Sequence, residues 1–371
     1  MSGLRRPSAI RVMMTIDAVG GVWRYAMDLA AGLREQGIVV VFAGLGPKPS
    51  AAQHQEAEAL GRLCWLDDAA LDWMVEEESA LANVGALLAD MAAQENVDLL
   101  HLNLPSQANG LDTALPVVVV SHSCVVTWFS GVRKSPVPES WRWHFTINRN
   151  GFDRASVVVA PSRSHADMLE NAYGKIDHLK VVHNASRTPF SSGNKENLVL
   201  AAGRWWDDGK NGRVVDEAAE RLHWPLVMAG SNQGPSGQYL PIRHAMHRGE
   251  LSHEAVMALM KRSAIFVSPS LYEPFGLAPL EAARTGNALV LADIPTYREL
   301  WEGCALFVDP QDAEAFATAI NRLCDDAALR SELSEKASAR SAAFGPEPQA
   351  EAMASVYADL LRHKMTLTAA E

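Results

Sequence analysis

At 371 residues the chain is longer than the ~250–300 at which one hydrophobic core stops growing, so two domains are expected. Its apolar share of 48% and charged share of 21% are those of an ordinary globular protein in water. A net charge of −11 makes nucleic acid a poor partner, while leaving room for a local basic pocket that takes one small anion.

In chain order, short apolar runs alternate with helical patterns. Residues 10–15 read as a buried strand, 22–35 as a helix closed by Gly37, and 38–43 as the next strand. Strands at 98–102, 117–121, 156–160 and 180–183 continue the series. The stretch 186–197 holds Pro189, Gly193 and three serines without periodicity, and reads as a linker and a candidate hinge for closure of one domain on the other. The alternation then restarts with strand 198–202, helix 211–222, strand 226–229, helix 253–261, strand 264–267, helix 279–285 and strands 288–291 and 305–308. Three helical segments, beginning near Asp312, Leu329 and Glu347, finish the chain. Strands separated by helices imply parallel sheets, so the expected fold is α/β, two Rossmann-like domains facing across a cleft. The expected division is 1–186 with the last helix, about 347–371, and 187–346. Ligands in such sheets bind at the carboxyl ends of the strands.

Cys64, Cys124, Cys304 and Cys324 form no CxxC pair and no zinc-type spacing, which suits buried free thiols in a reducing compartment. Arg5 and Arg6 are not followed by an apolar stretch, so no signal peptide is expected. The apolar runs are strand-length, as at 117–120, well short of the ~20 residues that span a bilayer. A soluble, cytoplasmic protein follows, at most attached to the inner face of a membrane.

The sharpest chemical feature is the stretch from Glu273 through Pro274, Phe275, Gly276 and Leu277 to Glu281, set between a strand and a helix. Gly276 permits close backbone approach, and the amides after Glu273 sit near a helix start suited to a diphosphate. Glu281, about a turn into the helix, can accept hydrogen bonds from paired ribose hydroxyls, and Glu273 can do the same for sugar hydroxyls. Against this stands the plain alternative of two solvated surface acids; the Gly/Pro-rich strand–loop–helix setting disfavours it.

Residues 269–282 fit the string P-S-x-x-E-x-F-G-x-x-x-x-E-A, and here the chain resembles glycosyltransferase family 4, the retaining GT-B enzymes. The likeness covers most of the chain and is strongest from Leu198 onward. It implies that Glu281 binds the donor ribose, that Glu273 lies by the donor sugar, and that the backbone of Phe275, Gly276 and Leu277 meets sugar hydroxyls and phosphate.

Gly203 and Arg204, followed by Lys210, match the family's G-R-x(n)-K element, which implies diphosphate contacts and stabilisation of the departing charge. Alone, such cations are more often solvated or salt-bridged. The Trp205-Trp206 pair between them either packs on the sheet or edges the nucleobase. Gly20 and Gly21 lie at a strand-to-helix turn that resembles the family's N-terminal glycine loop; they could equally be a tight turn, and no G-x-G-x-x-G is present. His122, just past a strand, is either a structural histidine or, as in relatives, a neighbour of the donor sugar. His101 is a weaker candidate for acceptor contact. Asn184-Ala185 stands where relatives often have Asn-Gly, and Gly230 resembles a glycine near the base.

No D-x-D triplet occurs, which fits charge neutralisation by Arg204, Lys210 and helix ends, with no metal and no cofactor beyond the nucleotide diphosphate sugar as co-substrate. The resemblance implies front-face attack assisted by the departing phosphate, with no enzymic nucleophile. The acceptor, by analogy a glycan, lipid-linked glycan or small molecule of cell-surface polysaccharide synthesis, falls to the first domain. There residues 127–153, with Trp128, Phe129, Arg133, Lys134, Trp141, Arg142, Trp143 and Phe145, read first as packing on the sheet and second as a surface for sugars or weak peripheral membrane contact. Two other classes share the architecture. A sugar-nucleotide epimerase would turn over donor without acceptor, and a catalytically silent nucleotide-sugar-binding protein would never release nucleotide diphosphate.

Overall fold

The computed structural model describes residues 9–191, 193–235 and 237–368, with side chains of the last helix described through 364. The N-terminal arginines read above and Ser192 of the linker lie outside the described residues. The chain divides into two compact units. One holds the residues up to 130, Ser135–Ala185 and the chain from 346 onward; the other holds Gly131–Lys134 and Ser186–Gly345.

The first unit contains β1 (Arg11–Asp17), α1 (Gly21–Glu35), β2 (Val39–Leu45), α2 (Ala51–Leu60), β3 (Arg62–Trp65), α3 (Val84–Gln94), β4 (Leu99–Leu102), β5 (Val117–Val120), α4 (Val125–Trp128), α5 (Trp143–Arg154), β6 (Val157–Ala160), α6 (Arg163–Tyr173) and β7 (Leu179–Val181). Its sheet has the order β3-β2-β1-β4-β5-β6-β7, and every pairing is parallel. The strands are apolar on both sides because both faces are covered. Met13, Val41, Leu100 and Val119 join one buried cluster, while their neighbours Val12, Met14, Val40, Leu99 and Val118 join the other. α1 ends in a Schellman motif: Gly37 (φ 76°) donates to Arg34 O and Ile38 to Leu33 O, both at 3.0 Å.

The second unit contains β8 (Glu196–Ala202), α7 (Gly212–Ala219), β9 (Leu226–Ala229), β10 (Met246–His247), α8 (His253–Arg262), β11 (Ser263–Ser268), α9 (Leu277–Arg284), β12 (Ala288–Ala292), α10 (Pro295–Trp301), β13 (Ala305–Val308), α11 (Ala313–Asp325) and α12 (Ala327–Ser341). Its parallel sheet has the order β10-β9-β8-β11-β12-β13. In each sheet the strand order reverses once, between β1 and β4 and between β8 and β11. Loops leaving the carboxyl ends of strands at such a switch point diverge and leave a crevice for a ligand.

The last helix, α13 (Pro346–Thr368), belongs to the first unit. Ala350, Met353, Val356 and Tyr357 are buried with Tyr25, Leu29 and Leu33 of α1. The helices approach closely because Gly32 has no side chain: a Cβ there would lie 2.7 Å from that of Ala350. Burying Met353, Val356 and Tyr357 contributes roughly 5–9 kcal/mol gross.

Several expectations need correction. The linker ends two residues early, because Glu196 already belongs to β8. It is also stitched down: Arg284 Nε donates to Thr188 O (2.6 Å), and Ser191 N donates to Arg284 O (3.1 Å). α9 begins at Leu277, not Pro279, since a proline in the first helical turn lacks only an amide that has no intrahelical acceptor anyway. Cys124 and Cys324 are buried, but Cys64 and Cys304 are only half-buried.

Candidate active site

In the second unit the predicted residues collect around the carboxyl ends of β8, β9 and β11. Gly203 follows β8 and donates to Ala229 O (3.0 Å). Gly230 follows β9 with φ 120°, and a Cβ there would lie 1.9 Å from Gly203 O, so only glycine allows the two strand ends to sit this close. The tryptophans divide. Trp205 is buried with Nε1 donating to Ala229 O (3.0 Å), which makes it structural. Trp206 lies under the Arg204 guanidinium at 5.4 Å, and Arg204, 46% exposed, is 3.7 Å from Asp207.

The chain then makes a 3-10 turn, Asp208–Lys210, ended by Asn211 in the left-handed region (φ 54°). Asn211 Nδ2 donates to Pro269 O (3.0 Å) and Pro310 O (2.6 Å), and Leu271 N donates to Gly209 O (2.9 Å). These bonds tie the loop after β8 to the loop after β11. They bring the Lys210 ammonium against Glu273, with Nζ 2.5 Å from Oε2 and side chains 24% and 14% exposed.

Gly276 caps α9 with φ 94°, its Cα facing the Tyr297 ring, where a Cβ would meet carbon at 3.0 Å. The hydroxyls of Tyr297 and Ser268 share a 2.6 Å hydrogen bond that fixes the start of this loop, and burial raises the Tyr297 pKa, keeping the phenol protonated. Phe275 is buried against Phe344 (5.6 Å), so only its backbone is offered to a ligand, while Leu277 is half-buried at the first helical position. No acidic side chain occupies the first turn of α9, whose amides are left to an anion. Glu281, on the same helix, is 7% exposed and lies 3.1 Å from His253 Nε2 at the start of α8.

Gly20, Gly21 and His122 belong to the first unit. Gly20 (φ 120°) precedes α1, whose first turn carries neither a side-chain cap nor an acid. The loop before it is held by an Asx turn, Val19 N to Asp17 Oδ1 (2.9 Å), and by Gln53 Nε2 donating to Ala18 O (3.2 Å). His122 is half-buried after β5; its Nε2 is 2.8 Å from Asn103 Oδ1, and its ring stands edge-on to Tyr25 at 4.2 Å. Burial, with lesser repulsion from His101 and His165, pushes its pKa down to about 3, so the ring is neutral. His101 is corrected: it lies within β4, fully buried and bonded to Tyr357 and Asn103, and so cannot touch an acceptor. Asn184 and Ala185 are buried too.

Within the aromatic segment, α5 packs His144, Ile147, Asn148 and Phe152 inward and leaves Phe145 (38%) exposed, as is Trp141 (40%) in the 3-10 turn before it. A depression of about 550 Å³ on the second unit, lined by Phe307, Asp309, Asp312, Glu314 and Arg322, holds none of the motif residues. Among the described residues no His, Cys, Asp and Glu cluster could hold a metal ion, and no helix is long and apolar enough to cross a membrane. Sequence reasoning missed His253 and Asn103 as partners of the site and gave Asn211, beside Lys210, no role of its own.

Two family descriptions match in succession along the chain: Glycosyltransferase Family 4 over residues 19–187 and Glycosyl transferases group 1 over 184–340. A glycogen synthase of Mycobacterium tuberculosis is 29% identical over 220 residues, 57% of this chain and 48% of that protein. A lipopolysaccharide core biosynthesis mannosyltransferase, LpsB, of Rhizobium meliloti is 35% identical over 156 residues, 38% and 44% of the two chains. The chain thus spans about half the length of such relatives. Among solved structures, the sucrose-phosphate synthase of Thermosynechococcus elongatus superposes with a TM-score of 0.80 at 18% identity, covering 95% of this chain and 100% of that one. HepE of Anabaena, in complex with UDP and glucose, gives 0.75 at 16% identity, covering 94% and 100%. With these matches over both units, and with two parallel Rossmann-like sheets, the chain belongs to glycosyltransferase family 4 and has the GT-B fold.

Proposed function

We propose that the protein is a retaining glycosyltransferase that moves a sugar from a nucleotide diphosphate sugar to a glycan, lipid-linked glycan or small-molecule acceptor, in the cytoplasm or at the inner face of the membrane, during cell-surface polysaccharide or glycoconjugate synthesis. The observation that carries this reading is the arrangement at the β8/β11 switch point. Lys210 is paired with Glu273 in the loop after β11; that loop leads into the uncapped N-terminus of α9, and the same helix carries Glu281, held by His253.

On this reading the diphosphate takes the α9 amides together with Lys210 and Arg204. Transfer of the Lys210 ammonium from Glu273 to phosphate frees the Glu273 carboxylate to accept hydrogen bonds from sugar hydroxyls. The ribose hydroxyls bond Glu281, on the carboxylate that His253 now meets. Gly203 and Gly230 keep the strand ends low beneath the nucleotide. In the first unit, Gly20 and Gly21 offer α1 amides to phosphate or acceptor, and His122 meets the donor sugar. As the glycosidic bond breaks, charge grows on the departing phosphate, where Arg204 and Lys210 stabilise it; the same oxygen takes the proton of the attacking hydroxyl on the same face. No cofactor or metal enters this scheme. The carbohydrate-forming names of the relatives fit a hexosyl donor, and the UDP held by HepE fits a nucleoside diphosphate.

Titration calorimetry with UDP, GDP and ADP and their hexose conjugates, in EDTA, tests the reading. One nucleotide is expected to bind, and Glu281→Ala to weaken it at least tenfold. Failure of all three to bind would overturn the proposal, and undiminished binding by the variant would remove the ribose role.

A further inference from the structure

The first unit contains a buried chain of hydrogen bonds that leads from α13 to His122. Tyr357 Oη is 2.6 Å from His101 Nδ1, His101 Nε2 is 3.2 Å from Asn103 Oδ1, and Asn103 Oδ1 is 2.8 Å from His122 Nε2. Tyr25 Oη adds a longer contact of 3.4 Å to His101 Nε2. Taken alone, this chain could run in either direction, because hydroxyls, imidazoles and an amide can all exchange donor and acceptor roles.

One contact removes the ambiguity. Asn103 Nδ2 lies 2.5 Å from the backbone carbonyl of Thr15, which can only accept. The amide nitrogen therefore faces Thr15, and Oδ1 faces the two imidazoles. The reversed amide would set two bare oxygens at that distance in a buried site. The backbone of Asn103 is fixed as well. Its N–H donates to Thr15 Oγ1 (2.7 Å), which donates to Gln107 Oε1 (2.7 Å), which also accepts from Leu104 N (3.2 Å). With Oδ1 an acceptor, both imidazoles must carry their hydrogen on Nε2. His101 Nδ1 is then the acceptor that the Tyr357 hydroxyl requires, so every member is satisfied in one direction only.

We propose that Asn103 is a positioning residue that holds His122 as the neutral Nε2–H tautomer, so that Nδ1 is a fixed hydrogen-bond acceptor. Nδ1 has no hydrogen-bond partner among the described residues, and the ring is only half-buried. A lone pair at that point selects a ligand group that donates a hydrogen bond, such as a sugar hydroxyl, and repels a phosphate or carboxylate oxygen. This last step rests on the proposed glycosyl transfer; the tautomer itself does not. The groups facing His122, namely Asn103, Tyr25, His101 and, farther off, His165, are uncharged, which keeps the ring neutral.

The test is ¹⁵N–¹H correlation of the histidine rings in the full chain without any ligand, with His122 assigned by its loss in His122→Gln. Wild type is expected to show a protonated Nε2 and a lone-pair Nδ1 near neutral pH. Asn103→Leu, or Asn103→Ser should the leucine variant not fold, is expected to shift both nitrogens toward averaged values as the tautomers interchange. Tyr357→Phe is expected to leave His122 as it is, since Thr15 still orients the amide. A protonated Nδ1 in wild type, an unaltered tautomer in both Asn103 variants, or scrambling of His122 by Tyr357→Phe alone would each overturn the proposal. None of these outcomes depends on nucleotide binding or sugar transfer, so glycosyl transfer can fail while the tautomer stands, and the reverse.

Discussion

Replacing Lys210 by Met removes the cation from Glu273, whose side chain is 14% exposed. Exposed ion pairs contribute about 0.2–1 kcal/mol, and breaking a fully buried pair costs about 3–5. With the two side chains 24% and 14% exposed, this pair falls between, and Lys210→Met should cost about 1–2 kcal/mol. In a unit of this size that lowers the melting temperature by roughly 3–6 °C. Glu273→Gln should cost less, because the lysine can swing toward water. The double variant should recover about 1 kcal/mol relative to the sum of the singles, since it leaves no unpaired charge. Catalysis should not follow stability. Without the ammonium beside the leaving diphosphate, turnover should fall by on the order of 10²–10³-fold in Lys210→Met and in the double variant alike. Thermal unfolding and release of nucleoside diphosphate from the donor identified by calorimetry measure the two effects. A double variant that regained turnover along with stability would refute the phosphate role of Lys210 and reduce the pair to a structural tie.

Two further predictions concern stability. Gly230→Ala would place a Cβ 1.9 Å from Gly203 O at φ 120°, forcing the ends of β8 and β9 apart; a loss of about 3 kcal/mol or more is expected, and a wild-type melting curve would contradict it. Burial lowers the pKa of His101, His144 and His165 to about 4 and of His122 to about 3, from an ordinary 6.5. Because the unfolded chain then binds protons that the folded chain refuses, their contribution is complete above about pH 6.5 and is lost as the pH falls through that value toward 4. All four lie in the first unit, so hydrogen exchange near pH 5 should show β4, β5, α5 and α6 losing protection before β8–β13; the opposite order would refute the assignment.

The fold was legible because most strands are short apolar runs and many helices are longer periodic ones, as in 117–120 against 22–35. What escaped is what that contrast does not mark. β3 (Arg62–Trp65) is a half-buried edge strand with a mixed sequence, β10 is two residues long, and α10 opens on proline with only seven residues; the helices α2, α3, α5 and α6 were not assigned individually either. In the candidate site, residue types could be read and partners could not. Lys210 meets Glu273 across 63 positions, Asn211 bonds Pro269 and Pro310 across 58 and 99, and His253 meets Glu281 across 28. A local motif specifies which groups are present at a strand end. Only the strand order β8-β11 specifies which two ends are neighbours, and that order is a property of the whole sheet.

The two units carry different chemistry at their strand ends. In the second, Arg204, Lys210, Glu273 and Glu281 are basic and acidic side chains held in place by one another or by a neighbour. Around His122 in the first, Asn103, Tyr25, His101, Thr15 and Gln107 are neutral, and burial disfavours a charge on either imidazole. Charged partners suit a dianionic diphosphate, whose charge grows as the glycosidic bond breaks. A neutral, directionally fixed network suits hydroxyl groups, which are told apart by where their hydrogens point and not by net charge. On the proposed reading, leaving-group stabilisation therefore falls to the second unit and discrimination among hydroxyls to the first. Substitutions in the β8 and β11 loops should alter turnover with every donor sugar alike, whereas those at Asn103 and His122 should change which donor sugar is transferred.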